Sequence, residues 1–384
     1  MTLSNFDDIR PYVDSEVAPA MERIASNPML QGISEYLFPG KDISFFKNIL
    51  LSCNTINDFQ EKVMDNVVKK ILSDTAKNLT FGGLDNFKGD KKYLIITNHR
   101  DIVLDSAIIQ VILHKHNIQT TEIAVGDNLI SSSFMEDITR TNKMIKVVRN
   151  TTPREIYASS QKLSGYIRQS VSTDKSSIWI AQRNGRTKDG LDMTEQGVLK
   201  MLDMSGSRDF VKDFGELSIM PASISYEFEP CDLLKAMELY ISKRRRYVKS
   251  KDEDFNSILT GILQYKGNIH IEFTEPITIA EIEQAAELDK NERFKFLTNA
   301  MDKRIVSSFK LWKNNYIAYD LLNGGNEFGD MYTQEEKSSF VNYMNKKLSS
   351  ADAESVDGDM EELEKIFLSI YANPIVNQRA ILSE

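Results

Sequence analysis

From about residue 90 the chain changes its period. Short apolar runs now alternate with helical stretches: "YLIIT" (93–97), "EIAV" (122–125), "IKVVR" (145–149), "SIWIA" (177–181), "SIMPASISY" (218–226) and "NIHIEF" (268–273). Between them lie "VLDSAIIQVILHK", "TTPREIYASSQKLSGYIRQSV", "TEQGVLKMLDM" and "CDLLKAMELYISKRRR". Runs that are apolar at successive positions need cover on both faces. Strands of that kind, separated by helices, predict an α/β fold: a mostly parallel sheet flanked by helices. One helix start is well marked, because in "TTPRE" Thr152 can cap, Pro153 suits the first helical position and Glu155 completes a capping box.

The flanks have the helical period instead. "SEVAPAMERIAS" and "INDFQEKVMDNVVKKIL" space apolar residues at three and four, so residues 1–80 read as helical. After "EFTEPIT" the helical pattern returns, with a second capping box from Thr333 to Glu336. Single cores stop growing near ~250–300 residues, and the chain has 384. Three regions are therefore expected: an N-terminal helical region (1–85), an α/β domain (86–280) and a C-terminal helical region (281–384). The small, acidic stretch 349–359 reads as a linker.

Composition closes several doors. A net charge of -9 argues against a nucleic-acid binder. Cys53 and Cys231 lack the spacing of a metal site or a disulfide framework, so no metal is expected. The N-terminus is acidic and has no apolar segment of the signal-peptide kind. No run approaches the ~18 apolar residues of a spanning helix. The expected place is the cytoplasm, with peripheral contact on the inner face of the cell membrane.

The stretch "TNHRDIVLDSAII" (97–109) is open to two readings. His-Arg-Asp matches a kinase catalytic loop, and "KDFGE" (212–216) offers a metal-binding aspartate. In kinases those two aspartates lie close in sequence because both reach one nucleotide phosphate. Here Asp101 and Asp213 are separated by several expected elements. Ser106 stands where a magnesium-binding Asn is needed, and no glycine-rich loop precedes the histidine. The kinase reading fails.

The second reading is acyl transfer. "YLIIT" delivers Asn98 and His99 to a strand's carboxyl end, where open α/β sheets place their sites. A histidine there can take the proton of an attacking hydroxyl, and a carboxylate on its other ring nitrogen fixes the tautomer. Asp105, at the start of the next helix, is the expected partner and Asp101 its competitor.

These residues resemble the glycerolipid acyltransferase superfamily, the glycerol-3-phosphate and 1-acylglycerol-3-phosphate acyltransferases, whose first motif is Asn-His, four residues, then Asp. "AVGDNLISSSF" with "NKMIKVVRN", then "IWIAQRNGRTKDG", "IMPASISYEFEPCD" and "IHIEFTEPIT" resemble the later blocks in order and spacing. The chain departs twice: five residues, not four, separate His99 from Asp105, and Arg183 replaces the third block's usual glutamate. The extra residue is expected to be absorbed in a wider first helical turn. The resemblance implies a fatty acyl group moved from acyl-CoA or acyl-carrier protein, as donor substrate rather than cofactor, to the hydroxyl of glycerol-3-phosphate or lysophosphatidate. His99 and Asp105 would be catalytic.

The third block makes physical sense by itself. Asn184 and Gly185 permit positive backbone angles, so Arg183, Arg186 and Lys188 share one tight loop. Arginines hold phosphate through bidentate, charge-assisted bonds. Arg149, ending "IKVVR", would reach the same sheet edge. Arg149, Arg183, Gly185, Arg186 and Lys188 are thus the expected substrate-binding set. "SKRRRYVKSK" (242–251) packs six basic residues around a tyrosine and reads either as a solvated helix end or as a contact for an anionic membrane surface. An acidic acyl-carrier protein could use the same patch. "HKH" (114–116) reads as a solvated helix end, since residues two apart on a helix do not share a face. A non-catalytic lipid-binding or membrane-associated protein that kept this fold is the alternative function.

Overall fold

All six apolar runs become strands of one sheet. The computed structural model describes residues 3–149, 151–173, 175–351 and 359–383, and most of the expected linker at 349–359 lies outside them. The strands are β1 (Ala76–Gly82), β2 (Leu94–Thr97), β3 (Glu122–Gly126), β4 (Met144–Val147), β5 (Ile178–Ala181), β6 (Ile219–Tyr226) and β7 (Gly267–Phe273). Their order is β1-β7-β6-β2-β5-β3-β4. Every neighbouring pair is parallel except β6 and β7. The fold is α/β with a mostly parallel sheet flanked by helices, as expected.

Before the sheet come α1 (Asp14–Ala25), α2 (Leu30–Leu37), α3 (Ile43–Leu51), α4 (Ile56–Phe59) and α5 (Asp65–Thr75). Within the α/β part lie α6 (Leu104–Lys115), α7 (Ser133–Thr141), α8 (Pro153–Ser172), α9 (Gln196–Asp203), α10 (Phe210–Gly215), α11 (Asp232–Arg244) and α12 (Glu253–Leu263). After it follow α13 (Ile279–Ala286), α14 (Glu292–Ser307), α15 (Lys313–Asn323), α16 (Gln334–Leu348) and α17 (Met360–Ser383). Both expected capping boxes form, at Thr152 with Glu155 and at Thr333 with Glu336.

One expectation is corrected. Residues 76–80 read as helical, but they belong to β1, so the sheet begins before the boundary expected at residue 86. β1 is an edge strand whose side chains are all at least partly exposed. Its Lys77, Asn78 and Thr80 break any apolar run, and only pairing with β7 makes it a strand.

Strand alternation sorts the core onto two faces. Leu94, Ile96, Ile178 and Ile219 pack on one side with Tyr166 and Ile167 of α8 and Phe294 of α14. Ile95, Trp179, Met220 and Ile224 pack on the other with Ile108 and Ile112 of α6. Pro221 lies inside β6 where the β7 pairing ends, and there only its carbonyl is used, accepting from the Thr274 amide at 3.0 Å. Helices α11, α15, α16 and α17 share a further core around Tyr240, Ile317, Phe340 and Phe367. Because β2, β3, β4 and β5 are parallel, their carboxyl ends open on one edge, where every expected site residue falls. Among the described residues no helix is long and apolar enough to cross a membrane.

Candidate active site

Strand β2 ends at Thr97, and the chain then makes a turn held entirely by polar contacts. Asn98 imitates a further strand residue: its Oδ1 accepts from the Ile224 N–H at 2.8 Å and its Nδ2 donates to the Ile224 carbonyl at 2.9 Å. His99 follows, 14% exposed and edge-on to Trp179 with ring centroids 5.7 Å apart. Trp179 is buried, as a core residue should be, and its Nε1 donates to Thr97 Oγ1 at 3.1 Å.

The competition between the two aspartates is resolved by distance. His99 Nδ1 lies 2.8 Å from Asp105 Oδ2. The same oxygen accepts from the Arg100 and Asp101 amides at 2.5 and 2.9 Å, and Oδ1 accepts from the Tyr226 hydroxyl at 2.7 Å. Burial alone would push the Asp105 carboxyl up. The His99 bond, the Asp101 amide and the Tyr226 hydroxyl outweigh it and hold the group below its usual range. An ionised carboxylate can only accept, so Nδ1 carries a proton, and in the neutral ring Nε2 keeps the lone pair that a base needs. Tyr226 in turn is pushed well up by burial and by Asp105.

Asp101 does something else. Its Oδ1 accepts from the Val103 and Leu104 amides at 2.9 and 2.8 Å and so starts α6. The residue that lengthens the His-to-Asp spacing is absorbed in this turn before the helix, not in a widened first turn within it. Burial and the neighbouring Asp105 push the Asp101 carboxyl up.

Arg100 faces inward and is almost wholly buried. Its guanidinium donates to Asp192 Oδ2 at 2.6 Å and Glu229 Oε2 at 3.3 Å and lies over the Phe309 ring at 5.0 Å. Lys235 completes the set, reaching Glu229 Oε1 at 2.6 Å and the Arg100 carbonyl at 2.8 Å. Burial opposes the Arg100 charge, but Asp192 and Glu229 more than restore it. Two cations and two carboxylates cancel, which is the condition for keeping them out of water. Sequence reasoning missed this network and Tyr226, because nothing local marks which distant carboxylate meets which cation.

The loop after β5 turns at Gly185, whose φ of +78° is the positive angle expected of it. It packs against the histidine: the Thr187 amide donates to the His99 carbonyl at 2.8 Å. Arg186 is partly buried, its Nη1 has no hydrogen-bond partner, and its charge acts on Asp101, Lys188 and Asp254. Lys188 pairs with Glu238 of α11. Arg149 crosses Gly126 at the end of β3, so closely that a Cβ there would lie 2.9 Å from its Nε. Burial lowers its pKa, against the pull of Asp127 and Asp254. Asp254 of α12 thus shares its field with both Arg149 and Arg186. Three expected cations, Arg149, Arg186 and Lys188, gather along this edge. Arg183 lies in the same loop, its Nε 3.9 Å from Glu195 and without a hydrogen-bond partner. A separate hollow lined by Asp14, Gln60, His114, Thr120 and Lys143 holds none of the expected residues.

A histidine–aspartate pair at the end of the central strand of an α/β sheet can take the proton of an attacking hydroxyl. Residues 78–225 match the Acyltransferase family. Among solved structures, the 1-acyl-sn-glycerophosphate (LPA) acyltransferase PlsC from Thermotoga maritima is similar at 11% identity, over 74% of this chain and 92% of that one, with a TM-score of 0.40. No curated protein matches the chain significantly.

Proposed function

We propose that the protein transfers a fatty acyl group from an acyl thioester, carried by coenzyme A or acyl-carrier protein, to the hydroxyl of glycerol-3-phosphate or lysophosphatidate. The observation that carries this reading is His99, held in one tautomer by Asp105, beside a loop and strand ends that bear Arg149, Arg186 and Lys188. The acceptor's phosphate pairs with these cations and its hydroxyl meets His99 Nε2. As the oxygen bonds to the thioester carbonyl carbon, its proton passes to Nε2. The tetrahedral adduct then expels the thiolate, which takes the proton back, leaving ester and thiol. Asp105 stabilises the transient imidazolium and does not itself take the proton. Much of the advantage is orientation: the anchored phosphate preselects one approach of the hydroxyl. The family supports acyl transfer, and the cation set supports a phosphate-bearing acceptor.

The test is His99→Ala, assayed with both acceptors and with both kinds of thioester. General-base loss is expected to lower kcat by roughly 10²–10⁴-fold in a folded variant. Arg186→Ala should instead act mainly on the KM for the acceptor. Undiminished turnover of folded His99→Ala would overturn the assignment, and a wild type that binds lipid without forming product would favour the non-catalytic alternative.

A further inference from the structure

Helix α12 presents two unlike faces. Its inner face roofs the site. Gly261 packs so near Asp101 that a Cβ would come within 2.2 Å of Oδ2. The Ser257 carbonyl accepts from Cys231 Sγ at 3.3 Å, and Asp254 accepts from Asn128 Nδ2 at 3.0 Å. Its outer face carries Phe255, Leu259 and Leu263, exposed by 53, 40 and 60%. Their spacing of four stacks them into one stripe. Tyr265, just beyond the helix, is also exposed. A surface helix ordinarily turns polar residues outward, so a stripe of large apolar side chains in water signals a partner surface.

The segment leading into α12 supplies the charge. Lys243 and Arg244 are bound to Glu362 and Asp359, and Lys249 to Asp254. Arg245, Arg246 and Lys251 are exposed, and among the described residues none has an ion-pair partner. They surround Val248, the most exposed large apolar side chain of the described residues at 80%. Unpaired cations thus flank the leading end of an apolar stripe, the pattern of a helix that lies in a membrane interface.

We propose that α12 and the segment before it form a docking surface for an anionic bilayer. Phe255, Leu259 and Leu263 enter the headgroup–acyl boundary, while Arg245, Arg246 and Lys251 lie among anionic headgroups, their stems on the apolar side. The net charge of -9 repels such a surface as a whole, so attraction through this patch alone also orients the molecule. An acidic carrier protein would satisfy the cations, but it gives the protruding stripe nothing to enter. A fluid bilayer satisfies both. That docking here brings the roof of the site to the headgroup layer, where lysophosphatidate resides, rests on the proposed function; the docking itself does not.

The experiment is flotation of the full chain with vesicles of phosphatidylcholine, alone or with phosphatidylglycerol. Wild type and His99→Ala are both expected to float with the anionic vesicles and to be released by salt. Phe255→Ser/Leu259→Ser/Leu263→Ser should weaken this at least about tenfold, as should Arg245→Glu/Arg246→Glu, each with an unchanged thermal midpoint and unchanged turnover of soluble substrates. Equal flotation of both variants overturns the proposal. So does a wild type that ignores anionic vesicles, or one in which the arginine pair is needed only for turnover with acyl-carrier protein as donor. Because His99→Ala is floated beside wild type, loss of docking and loss of catalysis read out separately.

Discussion

Asp101 and Asp105 are four positions apart, both buried, and chemically the same, yet their surroundings assign them opposite tasks. Asp105 receives the imidazole, two amides and a hydroxyl, so its charge is wanted. Asp101 receives only two helix-start amides through Oδ1, while its Oδ2 is buried with no partner. Asparagine keeps an oxygen in either place but removes the charge. At position 105 it also offers Nδ1 of His99 a donor, which favours the wrong tautomer. Asp105→Asn is therefore expected to lower kcat by about 10³-fold or more with little change in KM. Asp101→Asn should keep kcat within about tenfold, since its amide-accepting oxygen survives. Steady-state kinetics on the two variants checks this, and equal losses would show that the His99 contact is not what matters. The pH sign follows from the direction of the shift. Asp105 sits below its unfolded value, so its contribution to stability is full above about pH 4 and is lost as pH falls through the native pKa.

Elements were legible in the sequence where each position reports its own surroundings. β2 and β5 are covered on both faces and read as apolar runs. β1 lies at an edge with its side chains at least partly exposed, and its strand character resides in its partner rather than in its own residues. The site divides the same way. His99, Asp105 and the Gly185 loop carry local cues. Asp192, Glu229, Lys235, Tyr226 and Asp254 act through partners far along the chain. The loop has an anchor in α14, where Asp302 Oδ1 accepts from the Thr194 amide and hydroxyl at 2.8 and 2.5 Å. Burial raises the Asp302 carboxyl to about 6, with Asp192 adding to the rise and the Thr194 bonds opposing it. Between about pH 4 and about 6 the unfolded chain has ionised this group while the folded chain still holds its proton. Stability therefore falls as pH rises through that window, by about 3 kcal/mol from this residue. Asp302→Asn keeps an acceptor for Thr194 and removes the penalty. Urea unfolding should find the variant about 1–3 kcal/mol more stable at pH 8 and no different near pH 4; a variant less stable at pH 8 would show that Thr194 needs the charge.

At the scale of the molecule, the C-terminal helix reaches the site and is not an appendage. Asn377 Oδ1 accepts from the Asp192 amide at 2.7 Å, and Asn373 Nδ2 donates to the Asp189 carbonyl at 2.7 Å. Between these bonds Gly190, at φ +84°, lies so close to α17 that a Cβ would come within 2.3 Å of the Ile370 carbonyl. Tyr371 of the same helix accepts from the Glu229 amide at 3.0 Å. One helix thus holds both carboxylates that meet Arg100, and it closes the loop that begins at Arg186. Its own seat is the large core with α11, α15 and α16, which the two asparagines do not build. Removing them should then loosen the loop without unfolding the molecule. Two hydrogen bonds at about 1 kcal/mol each put the stability loss of Asn373→Ala/Asn377→Ala near 2 kcal/mol. Arg186 and Lys188 would lose their fixed position, so the KM for the phosphate acceptor should rise by about tenfold or more. The KM for the thioester, which this loop is not expected to hold, should stay within about twofold. Kinetics with each substrate varied in turn gives the answer. If both constants rise together, α17 acts on the whole sheet edge; if neither does, the cations are positioned by β5 alone and the C-terminal region contributes only its core.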